Sequence, residues 1–182
     1  MDKSDTIVWT IGHSTRPLGE LIALLREHGI MHLVDVRTVP RSGHNPQFNT
    51  DTLPASLNAQ GIAYTHLVAL GGLRHARKDS VNTGWRNASF RGYADYMQTV
   101  EFARGLDELM ALAGKQTVAI MCAEAVPWRC HRSMIADALT VRGIEVRHIM
   151  GPSKFQVHKL TPFARPNGER ISYPSISPSG ER

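Results

Sequence analysis

The 182-residue chain has little cysteine and no long apolar run, and both absences limit what it can be. Its two cysteines, Cys122 and Cys130, are too few for the disulfide framework of a small secreted domain. No stretch approaches the roughly 20 apolar residues that span a bilayer. The opening residues, MDKSDTIVWTIG, lack the pattern of a signal peptide. We therefore expect a cytoplasmic protein with reduced thiols and no membrane partner.

The composition is that of an ordinary globular protein, with 42% hydrophobic and 20% charged residues. Apolar runs predict five strands, and a 3.6-residue apolar period predicts the helices between them. The predicted strands cover 7–11, 33–36, 62–67, 117–121 and 145–149. The predicted helices follow Pro17, follow Thr50 or Asp51, run from Tyr93 to about Ala113 with a break near Thr99, and precede Gly143.

This alternation predicts one α/β domain over residues 1–161. It would have three layers, with a mostly parallel sheet of about five strands flanked by helices. The segment 162–182 is rich in proline, serine and glycine, which predicts a C-terminal tail that is partly disordered at its end.

In parallel α/β sheets, ligands bind beyond the carboxyl ends of the strands, so charges that follow the predicted strands matter most. The segments 12–16, 35–46, 70–91, 122–132 and 148–160 hold 12 of the 21 Lys and Arg but only 3 of the 16 Asp and Glu. Their net charge is +9, against −4 for the rest of the chain. We therefore expect an anionic partner, either a small molecule or a nucleic acid.

Two turns after predicted strands are candidates for binding that anion. Gly12 ends a strand just before a helix start, where free backbone N–H groups suit a phosphate or carboxylate; a plain capped turn is the alternative. Asp35 ends the next strand and could orient a base or act as one, or could merely pair with a nearby arginine. The expected anion-binding residues are Gly12, His13, Ser14, Arg16, Arg37, Arg41, Arg129 and Arg132.

The segment 122–133 is the richest in reactive side chains. A thiol close to a helix start and to cations has a lowered pKa, and a histidine beside it can move protons. The alternative is that the cysteines are plain core residues. The expected catalytic residues are Cys122, Glu124, Cys130, His131 and Asp35.

Three known chemistries can be compared with this segment. Cysteine phosphatases use Cys-x5-Arg, whereas Cys122 to Arg129 is one residue longer and the loop has no glycine. Zinc sites favour closely spaced cysteine pairs, so neither a metal nor another cofactor is predicted. The side chains that would suit a metal are Cys122, Glu124, Cys130 and His131. Asp35-Val36-Arg37 and Cys122 with Arg132-Ser133 resemble rhodanese-type sulfurtransferases, although the loop here is several residues longer.

A further set of motifs occurs in a characteristic order. They are Thr10-Ile11-Gly12-His13-Ser14, Leu33-Val34-Asp35-Val36-Arg37 with Pro40-Arg41-Ser42, Phe48-Asn49, Cys122-Ala123-Glu124 and Cys130-His131-Arg132. The set resembles the bacterial and archaeal family called domain of unknown function 488, from about Val8 to Ile149. The resemblance implies an α/β domain with these motifs as its hallmark, and it implies no agreed reaction.

The segment 70–91 interleaves basic and aromatic residues and has three interpretations. It could contact nucleic acid, cover a small phosphorylated substrate as a lid, or pack its aromatic side chains back on the sheet.

Three functions follow from these observations. The first expectation is an enzyme for a phosphate-bearing substrate, nucleotide-like or nucleic acid, with the reaction type open. The alternatives are a thiol or sulfur-transfer protein centred on Cys122 and a non-catalytic nucleic-acid-binding module. The sequence does not indicate the oligomeric state.

Overall fold

The computed structural model describes residues 5–176, and their centre is one six-stranded sheet. The strands are β1 (Ile7–Gly12), β2 (His32–Asp35), β3 (Ala63–His66), β4 (Val118–Cys122), β5 (Glu145–Gly151) and β6 (Lys154–Val157). Their order across the sheet is β3-β2-β4-β1-β5-β6. The first five are parallel, and β6 pairs antiparallel with β5 at the edge. The predicted mostly parallel α/β sheet is thus confirmed, with one strand more than expected.

Five helices connect and cover these strands. They are α1 (Leu18–Glu27), α2 (Leu53–Asn58), α3 (Ala88–Tyr96), α4 (Val100–Ala113) and α5 (Arg132–Thr140). The predicted break near Thr99 is present, because the Thr99 side chain accepts a hydrogen bond from the Phe102 N–H and caps α4. Helix α3 begins earlier than predicted because Asn87 caps it. None of the helices within residues 5–176 has the length and apolar character needed to cross a bilayer.

Two apolar clusters lie on opposite faces of the sheet and give the domain its three layers. Successive strand residues point to opposite faces, so Ile120 joins one cluster and its neighbour Met121 joins the other. Helices α1 and α2 cover the face that carries Met121. Helices α3, α4 and α5 cover the face that carries Ile120 and Cys122.

A short hairpin follows the sheet, formed by β7 (Arg165–Asn167) and β8 (Arg170–Ser172). Ile171 and Tyr173 are buried in the same cluster as α5, and the Tyr173 hydroxyl donates to Asp137 of that helix at 2.8 Å. The described part of the predicted tail therefore packs on the core of the domain. The predicted disorder at the end of the chain lies outside the described residues.

The register of the strands brings three predicted site segments to one edge. Gly12 at the end of β1 pairs with Cys122 at the end of β4, and Asp35 of β2 pairs with Met121. A Cβ atom on residue 12 would lie 1.7 Å from the Glu124 carbonyl oxygen. Only glycine allows the loop after β4 to cross β1 this closely.

Candidate functional site

A cleft of about 640 Å³ opens at this carboxyl edge of the sheet. The loops after β1, β2 and β4 form much of its wall, and residues from 72 to 93 close the opposite side. The predicted site residues that line it are His13, Ser14, Arg37, Arg41, Cys122, Glu124, Arg129, Cys130 and His131. The remaining predicted residues, Gly12, Arg16, Asp35 and Arg132, are not part of its wall.

Two cleft residues have strained backbones. Ser14 and Leu73 have φ angles of 49° and 57°, in the left-handed region that side-chain-bearing residues rarely adopt. Leu73 is 76% exposed, so no burial of its side chain explains the conformation. Strain of this kind is common at functional sites, and two of the three such residues in the described part of the chain line the cleft, the third being Ser153 with a φ of 52°.

Asp35 and Arg37 form a buried ion pair behind the cleft. The Arg37 guanidinium donates to both carboxylate oxygens of Asp35, at 2.9 and 2.6 Å, and also to the Phe48 carbonyl at 2.6 Å. Tyr64 donates to the same carboxylate at 2.5 Å. Burial and this hydrogen bond raise the pKa of Tyr64 to about 12. The Asp35 carboxylate therefore positions the Arg37 guanidinium, and Asp35 itself does not line the cleft.

His13 connects this ion pair to the cleft. The Ser14 carbonyl can only accept a hydrogen bond, so His13 Nδ1 carries the proton that it donates there at 2.8 Å. Nε2 then accepts from Arg37 Nη1 at 3.3 Å. Burial, and secondarily the charge of Arg37, lower the pKa of His13. Its ring, stacked on Phe48 at 4.5 Å, is therefore a neutral wall of the cleft.

Arg132, the first residue of α5, is completely buried beneath the floor of the cleft. It donates to the Thr10 hydroxyl at 2.9 Å and to the Glu124 and Ala125 carbonyls at 2.9 and 3.3 Å. Within residues 5–176 it has no carboxylate partner. Its Nε has no hydrogen-bond partner among the described residues. A buried arginine without a carboxylate counter-ion is costly, and the acidic groups beside it are the thiols of Cys122 and Cys130, the latter accepting from the Arg132 backbone N–H at 3.4 Å.

Cys122 ends β4 on the floor of the cleft and is 2% exposed. Burial opposes ionisation of its thiol and is the largest single influence. A hydrogen bond from Cys130 and the charge of Arg132 outweigh burial and lower the pKa of Cys122 to about 7, although the neutral thiol donates to the Glu124 carbonyl at 3.6 Å. The arrangement favours a thiolate at this position.

Cys130 has the opposite environment, although it lies against Cys122. Burial and the adjacent Cys122 sulfur raise the pKa of Cys130 well above the range of an ordinary thiol. Its Sγ lies 3.4 Å from His131 Nδ1. His131 Nε2 donates to the Val36 carbonyl at 2.8 Å, so Nδ1 is the free acceptor of the neutral ring. Burial lowers the pKa of His131 to about 4.

A hydrogen-bond chain extends from Arg132 away from the cleft. Because Thr10 accepts from Arg132, its hydroxyl proton points to His148 Nδ1 at 2.6 Å. His148 then donates to His158 at 2.8 Å, and His158 to Asp137 at 2.7 Å. Burial lowers the pKa of His148 to about 3, which keeps that ring neutral.

Thr10 and His148 were not among the predicted site residues. The available signal was Thr10, a polar residue inside the otherwise apolar run IVWTI; His148 had no such signal, because its strand also contains Glu145 and Arg147.

Three charged residues stand at the mouth of the cleft. Arg41, Glu124 and Arg129 are exposed, and none of them forms an ion pair within the described part of the chain. Arg16, in contrast, pairs with Glu20 at 2.8 Å outside the cleft. Arg41 and Arg129 are therefore the arginines free to meet an anion, whereas Arg37 and Arg132 are held by protein acceptors.

The aromatic side chains of the 70–91 segment are Trp85, which packs on the domain, and Phe90, which contacts Trp85 and also lines the cleft. Trp85 packs against Phe90, Phe163 and Tyr173 with ring centroids 4.8–5.4 Å apart. Arg77 pairs with Asp79 at 3.0 Å. This supports the interpretation in which the aromatic residues pack on the domain.

The residues that the structure describes contain no group of three or more His, Cys, Asp and Glu side chains placed to hold a metal ion. Of the side chains suited to a metal, Cys122, Cys130 and His131 contact one another and the backbone instead.

Comparison with known proteins gives one match. A family model described as "Domain of unknown function DUF488" matches residues 17–139, which include the Asp35–Arg37 and Cys122–Arg132 segments but not Gly12–Ser14. No curated protein and no solved structure matches the chain.

Proposed function

This chain belongs to the family described as domain of unknown function DUF488, and from that premise we propose that it is a thiol-dependent transfer enzyme. Its nucleophile is the thiolate of Cys122, and its substrate is an anion that enters the cleft. Cys122 carries the chemistry, Arg132 stabilises the thiolate, and Arg41 and Arg129 attract the substrate.

The proposal depends most on the buried charge of Arg132. A guanidinium held by one hydroxyl and two carbonyls keeps its full positive charge in a region of low dielectric. A thiolate on Cys122 neutralises that charge at short range, whereas a neutral thiol does not. The contact with Arg132 also favours the ionised, nucleophilic form of the Cys122 sulfur. A cysteine that only packs in the core has no need to be ionised.

The cleft suits an anionic electrophile. Arg41 and Arg129 are exposed at its mouth and raise the local concentration of anions by their charge. Glu124 stands beside them as a candidate acid for a leaving group. An anion that passes these side chains meets Cys122 on the floor.

Sulfur transfer fits this geometry best. With thiosulfate, the Cys122 thiolate attacks the outer sulfur, the S–S bond of the donor breaks, and sulfite leaves with the electron pair. The product is a persulfide on Cys122, whose negative charge Arg132 stabilises as it did that of the thiolate. A nucleophilic acceptor then removes the terminal sulfur and restores the thiolate.

A phosphate-bearing substrate is the second candidate, favoured by the free arginines Arg41 and Arg129. It has less support than sulfur transfer because Arg132, which follows the nucleophile, is already bonded to protein acceptors. A nucleic-acid-binding module has less support still, since Trp85 of the 70–91 segment packs against Phe163 and Tyr173 and is not free to stack on bases. Free thiols persist in reducing compartments, so we propose a bacterial cytoplasm as the location.

Intact-mass analysis separates these candidates. After incubation with thiosulfate, the native protein should release one sulfite per chain, Cys130→Ala should in addition retain one sulfur atom on Cys122, and Cys122→Ser should do neither. An aryl phosphate would instead leave a phosphorylated Cys122 if the second candidate is correct. If neither donor nor any of a panel of anionic disulfides modifies Cys122, a nucleophilic role for this residue is contradicted.

Thermal unfolding in the presence of phosphate, sulfate, thiosulfate or nucleotides tests whether the cleft binds an anion. Ligands that bind only the folded state should raise the melting temperature. Arg41→Ala and Arg129→Ala should reduce that rise, while Arg104→Ala, which removes an exposed cation of α4 away from the cleft, should not. An equal loss in all three variants would indicate a general charge effect and not a site.

A further inference from the structure

The two cysteines of the chain meet at the floor of the cleft. Cys122 ends β4, and Cys130 lies two residues before α5. The loop between them folds back, so that both thiols line the cleft and lie against each other. Both are free thiols, with 2% and 5% exposure.

The surroundings of the two sulfurs differ in a way that distinguishes their roles. Cys122 has the Arg132 guanidinium beside it, while Cys130 has the unprotonated Nδ1 of His131 at 3.4 Å. The single S–H proton of Cys130 can point either to the Cys122 sulfur or to that nitrogen. A hydrogen bond to Cys122 stabilises the thiolate before the reaction, and a hydrogen bond to His131 prepares Cys130 for a second step.

We propose that Cys122 and Cys130 form a redox pair that reduces an anionic disulfide, with Cys122 as the attacking and Cys130 as the resolving cysteine. The inference rests on the proposed function, because it needs Cys122 as the nucleophile. It adds a second half-reaction, a role for Cys130 and a substrate class, the S–S bond of an anionic compound.

The reaction balances in two steps. First, the Cys122 thiolate attacks one sulfur of R–S–S–R′, a mixed disulfide forms, and R′S⁻ leaves. Second, Cys130 attacks the Cys122 sulfur, the bond from Cys122 to the R–S group breaks, and RS⁻ leaves with the electron pair. The pair of thiols loses two electrons and becomes a disulfide, while the substrate gains them as two thiols. A separate dithiol reductant then restores the two cysteines.

In the second step, His131 Nδ1 accepts the hydrogen bond of the Cys130 thiol and relays its proton to the leaving group. Once Cys122 is bonded to the substrate, it no longer accepts a hydrogen bond as a thiolate, and the Cys130 proton turns to His131 Nδ1. The bond from Nε2 to the Val36 carbonyl holds the ring in the tautomer with Nδ1 free. The leaving RS⁻ group recovers the proton from His131.

The anionic aromatic disulfide 5,5′-dithiobis(2-nitrobenzoate) is a suitable probe, because each thiolate that it loses is coloured and can be counted. The reduced native protein should release two thionitrobenzoate ions per chain and retain no adduct, since its own disulfide replaces the mixed one. Cys130→Ala and Cys130→Ser should release one ion and keep one adduct on Cys122. Cys122→Ser should release none at the rapid rate of the native protein.

The alternatives give different results in the same experiment. If the native protein keeps an adduct on Cys122, or one on each cysteine, the redox pair is contradicted. The role of Cys122 as the nucleophile is then still supported. Rapid release by Cys122→Ser, or no release from the native protein, overturns both the pair and the proposed function. Thermal unfolding of each variant establishes that it is folded before the count is made.

A matched substitution tests the proton acceptor. His131→Gln keeps an N–H group that can donate to the Val36 carbonyl but removes Nδ1. It should slow the second release at least tenfold relative to the first. An unchanged second release would overturn the role of His131 while leaving the pair in place.

Discussion

At the scale of single residues, the buried charge of Arg132 governs the site. Removing an ion from water costs several kcal/mol even after relaxation, and a hydroxyl and two carbonyls recover only part of that cost. A thiolate on Cys122 recovers more. The buried Arg132 cation therefore stabilises the thiolate form of Cys122, and that thiolate offsets part of the cost of burying the Arg132 charge.

Gly12 shows how one small residue permits this arrangement. We predict that Gly12→Ala destabilises the fold by about 3 kcal/mol, because the added Cβ would lie 1.7 Å from a backbone oxygen of the loop that Arg132 holds. Gly19→Ala is the control. A Cβ there meets nothing within 4 Å, and alanine should stabilise α1 by up to about 1 kcal/mol.

Urea unfolding of the two variants measures the difference in free energy. Two variants of equal stability would show that the close approach of the loop to β1 is not required.

Single residues also show which features of the site can be predicted from the sequence and which cannot. The apolar runs ending at Gly12, Asp35 and Cys122 correctly implied that these residues share one edge of the sheet. No sequence pattern indicates whether an arginine points outward to a ligand or inward to carbonyls. Arg37 and Arg132 were expected to bind an anion; Arg132 is buried with protein acceptors, whereas Arg37 lines the cleft and also donates to the Phe48 carbonyl.

At the scale of elements, the loop between β4 and α5 explains the pairing of the cysteines. Seven residues separate Cys122 from Cys130, a spacing that matches no metal or phosphatase motif. The sequence therefore predicted two reactive thiols but not their contact. That contact depends on the loop folding back over Gly12, a tertiary feature that local patterns do not encode.

The C-terminal hairpin is tied to the same region through Asp137 of α5. This buried carboxylate accepts hydrogen bonds from His158, Thr161 and Tyr173. We predict that Tyr173→Phe costs about 2 kcal/mol, because the lost bond goes to a charged group. Tyr93→Phe should cost about 1 kcal/mol, since the equally buried Tyr93 donates to the neutral Leu70 carbonyl at the same 2.8 Å.

Chemical denaturation at neutral pH gives both values. A Tyr173→Phe variant as stable as the native protein would mean that Asp137 does not anchor the hairpin.

At the scale of the whole molecule, buried neutral histidines make stability depend on pH. The folded-state pKa values of His131 and His148 are lowered to about 4 and about 3, whereas unfolded histidine titrates near 6.5. Below pH ~6.5 the unfolded chain binds protons that the folded chain does not. Their contribution to stability is therefore complete above pH ~6.5 and declines as the pH falls towards the folded-state values.

We predict that the native protein loses on the order of 2 kcal/mol per buried histidine between pH 6.5 and pH 5. His131→Gln should lose about 2 kcal/mol less over that range. His44→Gln replaces an exposed histidine and should behave as the native protein does. The free energy of unfolding in urea at several pH values measures each loss. Identical pH profiles for the native protein and His131→Gln would contradict a neutral His131.

The central claim is that a hydrogen bond from Cys130 and the buried charge of Arg132 lower the pKa of Cys122 to about 7, so that a thiolate is available at neutral pH. The most direct test is the rate at which iodoacetamide alkylates Cys122 in the native protein as the pH is varied, with each cysteine followed by mass. The account predicts an inflection below the ordinary thiol pKa of about 8.5, and a rise in that inflection in Arg132→Met but not in Arg132→Lys. A native inflection at or above the ordinary value, or labelling of Cys122 only after unfolding, would contradict it.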